Sequence, residues 1–212
     1  MTVHAASSRE RSSVEARDAK RKLPAERRGE LLARAVEIAE AEGLSAVTLR
    51  RVAGDLGVTP GLVSHYFSAA EQLITAAFRT AAVADLAEAR SRVDAAPTAV
   101  AKMDALMDYV LDDASDDASA LWLEAWSLGR RNAQLAAEAT ELTAEWLDCI
   151  ADIVRAGVAD GEFLVADVDV AARRLLTMID GLGAQKVVRA VPSEEAKHIA
   201  QAYFTSELRV SG

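Results

Sequence analysis

The sequence predicts an all-α fold of about nine helices. Alanine, leucine, glutamate and arginine dominate the chain, and these residues are good helix formers. Strand signals are nearly absent, because β-branched residues are scattered and no run alternates with period two. Apolar residues recur at helical spacing instead, as Leu135, Ala139 and Leu142 do within residues 135–159.

Composition limits the classes of protein to which the chain can belong. Its 212 residues are 51% hydrophobic, enough for one large core or two small ones. No apolar run reaches the roughly eighteen residues that a membrane span requires, and residues 1–22 lack the apolar centre of a secretory signal. We therefore expect a cytoplasmic protein with no membrane partner.

Charge is unevenly distributed along the chain. Residues 1–68 hold 11 Lys and Arg against 9 Asp and Glu, a balance of +2, whereas residues 69–212 hold 13 against 24, a balance of -11; together they give the net charge of -9. Because salt screens charges beyond about 8 to 10 Å, an acidic distal region does not prevent a basic proximal one from meeting phosphates.

The first part of the chain divides at clear helix signals. Residues 1–24 are polar and charged, which predicts a flexible basic arm. A first helix is expected over 25–42, where Gly43 ends it, and Thr48 is a suitable N-cap for a short second helix over 49–56.

A third helix follows after a short turn. Gly57 stands where a left-handed residue is expected, and Thr59 with Pro60 supplies an N-cap and a first-turn proline for a helix that ends near Tyr66. Two helices joined by a short glycine-containing turn form a helix-turn-helix. The sequence therefore predicts a three-helix domain over residues 25–70.

Residues 71–212 predict a second, helical domain. Ser68 and Glu71 have the spacing of a capping box that would begin a long fourth helix. The acidic run 112–117 is expected to be a solvated loop. Periodicity and caps place further helices from Pro97, around 120–130, over 135–159, from Asp167 or Asp169 to about Arg189, and from Ser193.

Small polar residues lie on the predicted outer side of the third helix. A major groove about 12 Å wide admits one helix, and short side chains let its backbone approach the base edges. Hydroxyls and amides at the helix N-termini favour phosphate oxygens. The alternative for His65 and Tyr66 is a packed aromatic edge without a DNA role. The candidate DNA-binding residues on these grounds are Thr48, Thr59, Pro60, Gly61, Leu62, Ser64, His65 and Tyr66.

These residues carry a resemblance to a known family. Residues 28–73, above all the segment TLRRVAGDLGVTPGLVSHYFSAAEQL over 48–73, resemble the DNA-binding domain of the tetracycline-repressor (TetR) family of transcriptional regulators. The tetrapeptide SHYF at 64–67 is similar to the branch that contains the choline-catabolism repressors, and LWLEAW at 121–126 and DGLG at 180–183 add a looser similarity.

The resemblance implies a ligand-responsive regulator, a repressor that a small-molecule effector releases from a palindromic operator. Family roles carried over would place Thr48 and Tyr66 on phosphates. Arg50, Thr59, Gly61, Leu62, Ser64 and His65 would face the groove. The family usually has a lysine where this chain has Ala70, and Arg50, Arg51 or the tail Lys20-Arg21-Lys22 could replace its charge.

An effector cavity in the distal domain is a further implication of the resemblance. Ordinary core packing is the alternative role for its aromatic candidates. A carboxylate and indoles facing one space would suit a cationic ligand. The candidates are Met103, Met107, Tyr109, Trp122, Glu124, Trp126, Trp146 and Asp180.

A homodimer through the last two helices is also implied by the resemblance. Gly181 and Gly183 within a predicted helix each cost roughly 1 kcal/mol relative to alanine, and close helix approach at a dimer interface would offset this cost. The candidate interface residues are Leu175, Leu182, Gly183, Ile199, Tyr203 and Phe204.

Catalytic signals are weak. The histidines are His4, His65 and His198, and no carboxylate–histidine pair has metal-ligand spacing on a helix. No phosphate-binding glycine loop or nucleophile elbow occurs, so we expect neither an enzyme nor a cofactor or metal. The remaining alternative is a helical small-molecule-binding or protein-interaction module without DNA binding.

Overall fold

The structure, a computed structural model, describes residues 23–208. The described range contains nine α-helices and no β-strand, which confirms the all-α prediction. The predicted arm lies outside the described residues except for Leu23 and for Pro24, which begins the first helix. The helices are α1 (Pro24–Glu42), α2 (Leu49–Asp55), α3 (Pro60–Tyr66), α4 (Ala70–Ala95), α5 (Ala99–Val110), α6 (Asp116–Gly129), α7 (Ala133–Ala159), α8 (Val168–Val187) and α9 (Ser193–Leu208).

Local capping forms the helix-turn-helix as the sequence predicts. The Thr48 hydroxyl accepts a hydrogen bond from the Arg51 amide (3.0 Å), and the Thr59 hydroxyl accepts one from the Leu62 amide (3.2 Å). Gly57 has a φ of +63°, in the left-handed region that glycine adopts without a steric penalty. These contacts confirm the predicted starts of α2 and α3 and the turn between them.

The predicted capping box before α4 is wrong. Ala69 is the N-cap of α4, and no side chain accepts a hydrogen bond from its first turn. The helix begins too late for the box spacing. The Ser68 amide and hydroxyl instead donate to Oε1 of Gln72, at 2.8 and 3.3 Å.

Two hydrophobic clusters make the core. The first contains the inner faces of α1, α2 and α3, the first half of α4, and residues of α6 and α7. The second joins the rest of α4 to α5, α7, α8 and α9. Trp122 of α6 packs against both clusters, and its ring meets that of Phe78 edge-on at 5.1 Å between centroids. The helix-turn-helix is therefore packed on the distal helices through continuous apolar contact.

The acidic run between α5 and α6 is not a simple solvated loop. It forms a 3₁₀ turn over Asp113–Ser115 and then the first turn of α6. Lys186 of α8 is buried beneath it, and its ammonium group donates to the carbonyl oxygen of Asp112 at 2.6 Å and lies 3.1 Å from the Asp116 carboxylate. The prediction missed this structure because the compensating lysine lies far along the chain.

Candidate DNA interface and effector cavity

The outer side of α3 is exposed and made of small polar groups. Gly61, Ser64 and His65 are exposed, whereas Val63 and Phe67 are fully buried against the rest of the three-helix domain. A Cβ built on Gly61 would have the Thr59 hydroxyl, 3.9 Å away, as its nearest neighbour. The helix backbone is thus open to a partner along this side.

Two exposed threonines, Thr48 and Thr59, are the N-caps of α2 and α3. Each hydroxyl accepts one bond within its own helix, and an accepting hydroxyl can still donate its proton. Free amides in the first turn favour an anion, so the start of each helix suits a phosphate oxygen.

Ion pairs hold some of the arginines in this domain. Arg51 donates to Glu42 at 2.6 and 2.9 Å and to Asp55 at 3.0 and 3.2 Å, and Arg34 bonds the same Asp55 carboxylate. These bonds hold the pKa of Asp55 and of Glu42 below their usual range, so both carboxylates stay ionised and paired. Arg51 is thus paired within the domain, and its replacement of a lysine at Ala70 stays a prediction.

A cavity lies among α4, α5, α6, α7 and α8 in the distal helices. It is narrow, about 70 Å³, and three indoles line it, those of Trp122, Trp126 and Trp146. The Trp122 and Trp126 rings lie 5.7 Å apart between centroids. A larger space of about 400 Å³ lies next to it, and Asp85 and Trp122 line both. Tyr109 lines the larger space.

Two carboxylates line the cavity. Burial raises the pKa of Asp180 to about 6, and no cation in residues 23–208 forms an ion pair with it. Asp85 accepts a hydrogen bond of 2.7 Å from the Tyr109 hydroxyl, and burial raises the pKa of Asp85 as well. A buried carboxylate is costly when it is ionised and unpaired, so a cation that enters the cavity would stabilise its ionised form.

Comparisons with known proteins match both halves of the chain. The family model "Bacterial regulatory proteins, tetR family" matches residues 31–89, and the model "BetI-type transcriptional repressor, C-terminal" matches residues 99–209, more than half of the chain. The chain belongs to the TetR family of transcriptional regulators, with a BetI-type C-terminal domain. It is therefore a DNA-binding transcriptional regulator, and the resemblance found in the sequence is confirmed.

Individual relatives agree with this TetR-family assignment. An HTH-type transcriptional regulator BetI of Rhizobium meliloti (strain 1021) is 28% identical over 193 residues, which cover 88% of this chain and 91% of that protein. A regulator from Saccharomonospora viridis, solved in complex with choline, shares the fold with a TM-score of 0.78 and 21% identity over 89% of this chain and all of that one. A Rhodococcus sp. regulator of the same fold has a TM-score of 0.72 and 20% identity, covering 87% of this chain and 99% of the other.

The TetR-family chain brings some predicted cavity residues together and not others. Trp122, Trp126, Trp146 and Asp180 line the narrow cavity, and Tyr109 lines the larger space beside it. Three further candidates lie elsewhere. Met103 and Met107 are buried in the second hydrophobic cluster, and Glu124 points towards the turn between α1 and α2.

Glu124 is in contact with the turn after α1. Its carboxylate accepts a hydrogen bond from the Ser45 amide at 3.2 Å, and a Cβ built on Gly43 would collide with it. The prediction that this carboxylate could face the cavity is therefore wrong. Helical periodicity explains the difference, since Glu124 lies between Trp122 and Trp126 in sequence and so projects from another side of α6.

The candidate dimer-interface residues differ in whether the chain's own core buries them. Leu175, Leu182 and Phe204 are buried within the chain's own core, whereas Ile199 is exposed and Tyr203 half-buried. A Cβ built on Gly183 would lie 3.1 Å from the Ser119 hydroxyl of the same chain. The explanation of Gly183 by close approach to a second chain is wrong, because α8 approaches α6 at this point.

Sequence reasoning missed two residues next to the candidate sites. Asp85 lines both cavities, but a single acidic residue within a long amphipathic helix gives no signal of its own. Arg28 of α1 lies over the Phe67 ring, with its guanidinium carbon 4.9 Å from the ring centroid. Only the folded chain brings Arg28 onto Phe67, so the sequence gives no signal for this contact.

No described helix is long and apolar enough to cross a membrane. Within residues 23–208, no group of three or more histidine, cysteine or carboxylate side chains is arranged to hold a metal ion.

Proposed function

We propose that this TetR-family chain is a homodimeric repressor that leaves its operator when a small organic cation binds the cavity lined by Trp122, Trp126, Trp146 and Asp180. The observation that carries the proposal is the Asp180 carboxylate, which lies among three indoles with no cation paired to it in the described residues. Indole faces attract a cation with about 0.5 to 2 kcal/mol, and the carboxylate adds charge pairing. The effector is bound and released without chemical change.

The nature of the effector follows from the same groups. A quaternary ammonium offers charge without hydrogen-bond donors, which suits aromatic faces. The Trp146 indole nitrogen is buried and has no acceptor within the described residues, so a ligand oxygen could satisfy it. The choline bound to the Saccharomonospora viridis regulator has both features, which makes it the first compound to test.

DNA contact is assigned to the two capped helices and their surroundings. Two copies of α3, one in each protomer, would enter successive major grooves roughly 34 to 36 Å apart on a palindromic operator in the cytoplasm. The residues proposed to contact DNA are Thr48, Arg50, Thr59, Pro60, Gly61, Leu62, Ser64, His65 and Tyr66.

The second protomer is proposed to pack on α8 and α9. Ile199 and Val170 are apolar and exposed there, and Tyr203 is half-buried, so this surface offers unpaired apolar groups. Burying such a patch between two identical chains is the commonest form of oligomer. Sedimentation of the wild type and of Ile199→Glu tests the interface: the wild type should be a dimer and the variant should dissociate.

Isothermal titration calorimetry tests the effector. Choline should bind the wild type, tetramethylammonium should bind more weakly because it lacks an oxygen, and a neutral isostere without charge should not bind. Asp180→Asn should lose most of the affinity for choline. Binding of a neutral apolar compound, together with no binding of choline or tetramethylammonium, would exclude a cationic effector.

A further inference from the structure

Positive charge that carboxylates do not already neutralise strengthens phosphate binding. In residues 23–69 the cations are five arginines, and this stretch has no lysine. Three of them are paired with carboxylates of the same domain, as Arg27–Glu30, Arg34–Glu37, Arg34–Asp55, Arg51–Glu42 and Arg51–Asp55. Arg28 and Arg50 form no ion pair with any described residue, so they carry the positive charge that this domain can offer to DNA.

Arg28 is fixed next to the recognition helix. Its guanidinium carbon lies 4.9 Å from the centroid of the Phe67 ring, and Phe67 is the C-cap of α3 and fully buried. Arg28 itself is exposed. A buried ring thus holds the guanidinium group at the surface without neutralising its charge, and its N–H groups stay free to donate.

The C-terminal end of α3 needs a cation if it approaches a phosphate strand. The amides at the start of a helix favour phosphate, but the carbonyl groups at its end carry partial negative charge and disfavour it. Ala70, which begins the following helix, contributes no charge there. Arg28 is a cation in contact with Phe67, the C-cap residue of α3.

We propose that Arg28, seated on Phe67, binds a backbone phosphate beside the C-terminal end of α3 and positions that helix in the groove. The proposal rests on the DNA-binding function of the chain. A phosphate contact of this kind adds affinity and fixes orientation without reading sequence. Arg50 would add its charge from the first turn of α2.

Salt dependence tests the proposal directly. The full-length chain first selects a duplex from a random-sequence pool, and the dissociation constant for that duplex is then measured by fluorescence anisotropy over a range of NaCl concentrations. Loss of one phosphate contact lowers the slope of log K against log salt by about 0.9. Arg28→Ala should show this decrease and weaker binding at low salt, whereas Arg28→Lys, which keeps the charge, should retain most of the slope.

Arg92→Ala is the matched control. Its guanidinium carbon lies 4.8 Å from the ring centroid of Tyr109, the same kind of contact but in the distal domain, so its slope should equal that of the wild type. Thermal unfolding of each variant shows whether the domain remains folded. A folded Arg28→Ala variant with the wild-type slope overturns the role of Arg28 alone. Failure of the wild type to retain any duplex overturns both this role and the proposed operator binding.

Discussion

Asp180 is one of the two carboxylates that line the narrow cavity. It lies near three indoles, and no described cation pairs with it. Burial raises its pKa to about 6, so the free protein holds a mixture of its neutral and ionised forms near that pH. A bound cation stabilises the ionised form, and effector binding should therefore weaken as the pH falls below about 6.

The stability of the free protein should depend on the same group. Because the folded pKa of Asp180 is raised, its favourable contribution is complete below about pH 4 and is lost as the pH rises through about 6. Asp180→Asn should raise the free energy of unfolding at pH 7.5 by on the order of 1 kcal/mol, discounted because the carboxylate is partly solvated. Urea denaturation at about pH 4 and pH 7.5 measures the difference. An equal effect at both pH values would contradict the assignment.

Substitution of Gly61 is expected to change stability and DNA binding in opposite directions. A methyl group at this position meets no atom closer than the Thr59 hydroxyl at 3.9 Å, and alanine favours a helix over glycine by about 0.5 to 1 kcal/mol. Gly61→Ala should therefore raise the melting temperature. It should also weaken operator binding at least severalfold, since the methyl group would stand between the helix and the base edges.

Gly29 provides the control for this substitution. It lies in α1 with no atom within 4 Å of a built Cβ, so Gly29→Ala should give the same stabilisation. Its operator affinity should stay at the wild-type value. Equal affinity of Gly61→Ala and the wild type would remove Gly61 from the proposed DNA surface.

Local chemistry explains which residues the sequence could predict. Thr48 and Thr59 cap their helices through amides three residues away, so their roles can be inferred from the sequence alone. The ion pairs of Arg51 include Glu42, which belongs to another helix, and Arg28 of α1 contacts Phe67, the C-cap residue of α3. Such contacts exist only after the domain has folded.

At the scale of elements, α6 connects the cavity to the DNA-binding helices. Trp122 and Trp126 of α6 line the cavity, while Glu124 accepts a hydrogen bond from the Ser45 amide in the turn after α1. A shift of α6 on effector binding would therefore move a residue in direct contact with the turn that joins α1 to α2. Coupling of this kind requires that the effector bind the two arrangements with different affinity.

Glu124→Ala should uncouple the two sites. The affinity for choline without DNA and the affinity for operator without choline should stay within about twofold of the wild type, because Glu124 is not on either proposed binding surface. Coupling free energies between two sites are typically about 1–3 kcal/mol, or roughly 5- to 150-fold in affinity. In Glu124→Ala, the factor by which choline weakens operator binding should be severalfold smaller than in the wild type. Anisotropy titrations with and without choline measure this factor.

Glu124→Gln is the conservative partner of that variant. Its amide oxygen can still accept from the Ser45 amide, so it should retain most of the coupling. A full response to choline in Glu124→Ala would show that the contact does not transmit the signal.

Helix periodicity predicted the elements better than their contacts. The expected helix over residues 135–159 is observed over Ala133–Ala159, because a long apolar repeat determines it. Gly183 was assigned to contact between chains, but its neighbour is Ser119 of the same chain. A sequence pattern shows that a helix needs close approach and does not show which helix approaches.

At the scale of the whole molecule, the charge distribution and the family membership both favour DNA binding by the N-terminal part and effector binding by the distal part. The chain carries +2 over residues 1–68 and -11 over 69–212, a distribution that favours DNA at the N-terminal part and a cation in the distal part. Family membership could be inferred from the continuous motif at 48–73. The cavity could not be predicted as a shape, since five helices distant in sequence contribute to it.

The central claim is that a cation held by Asp180 releases the regulator from DNA. The most direct measurement is an anisotropy titration of choline into the preformed complex of protein and selected operator, at about pH 8, for the wild type and for Asp180→Asn. The account predicts that choline dissociates the wild-type complex and leaves the Asp180→Asn complex bound over the same concentration range. Equal release of both complexes, or a wild-type complex that choline does not affect, would contradict it.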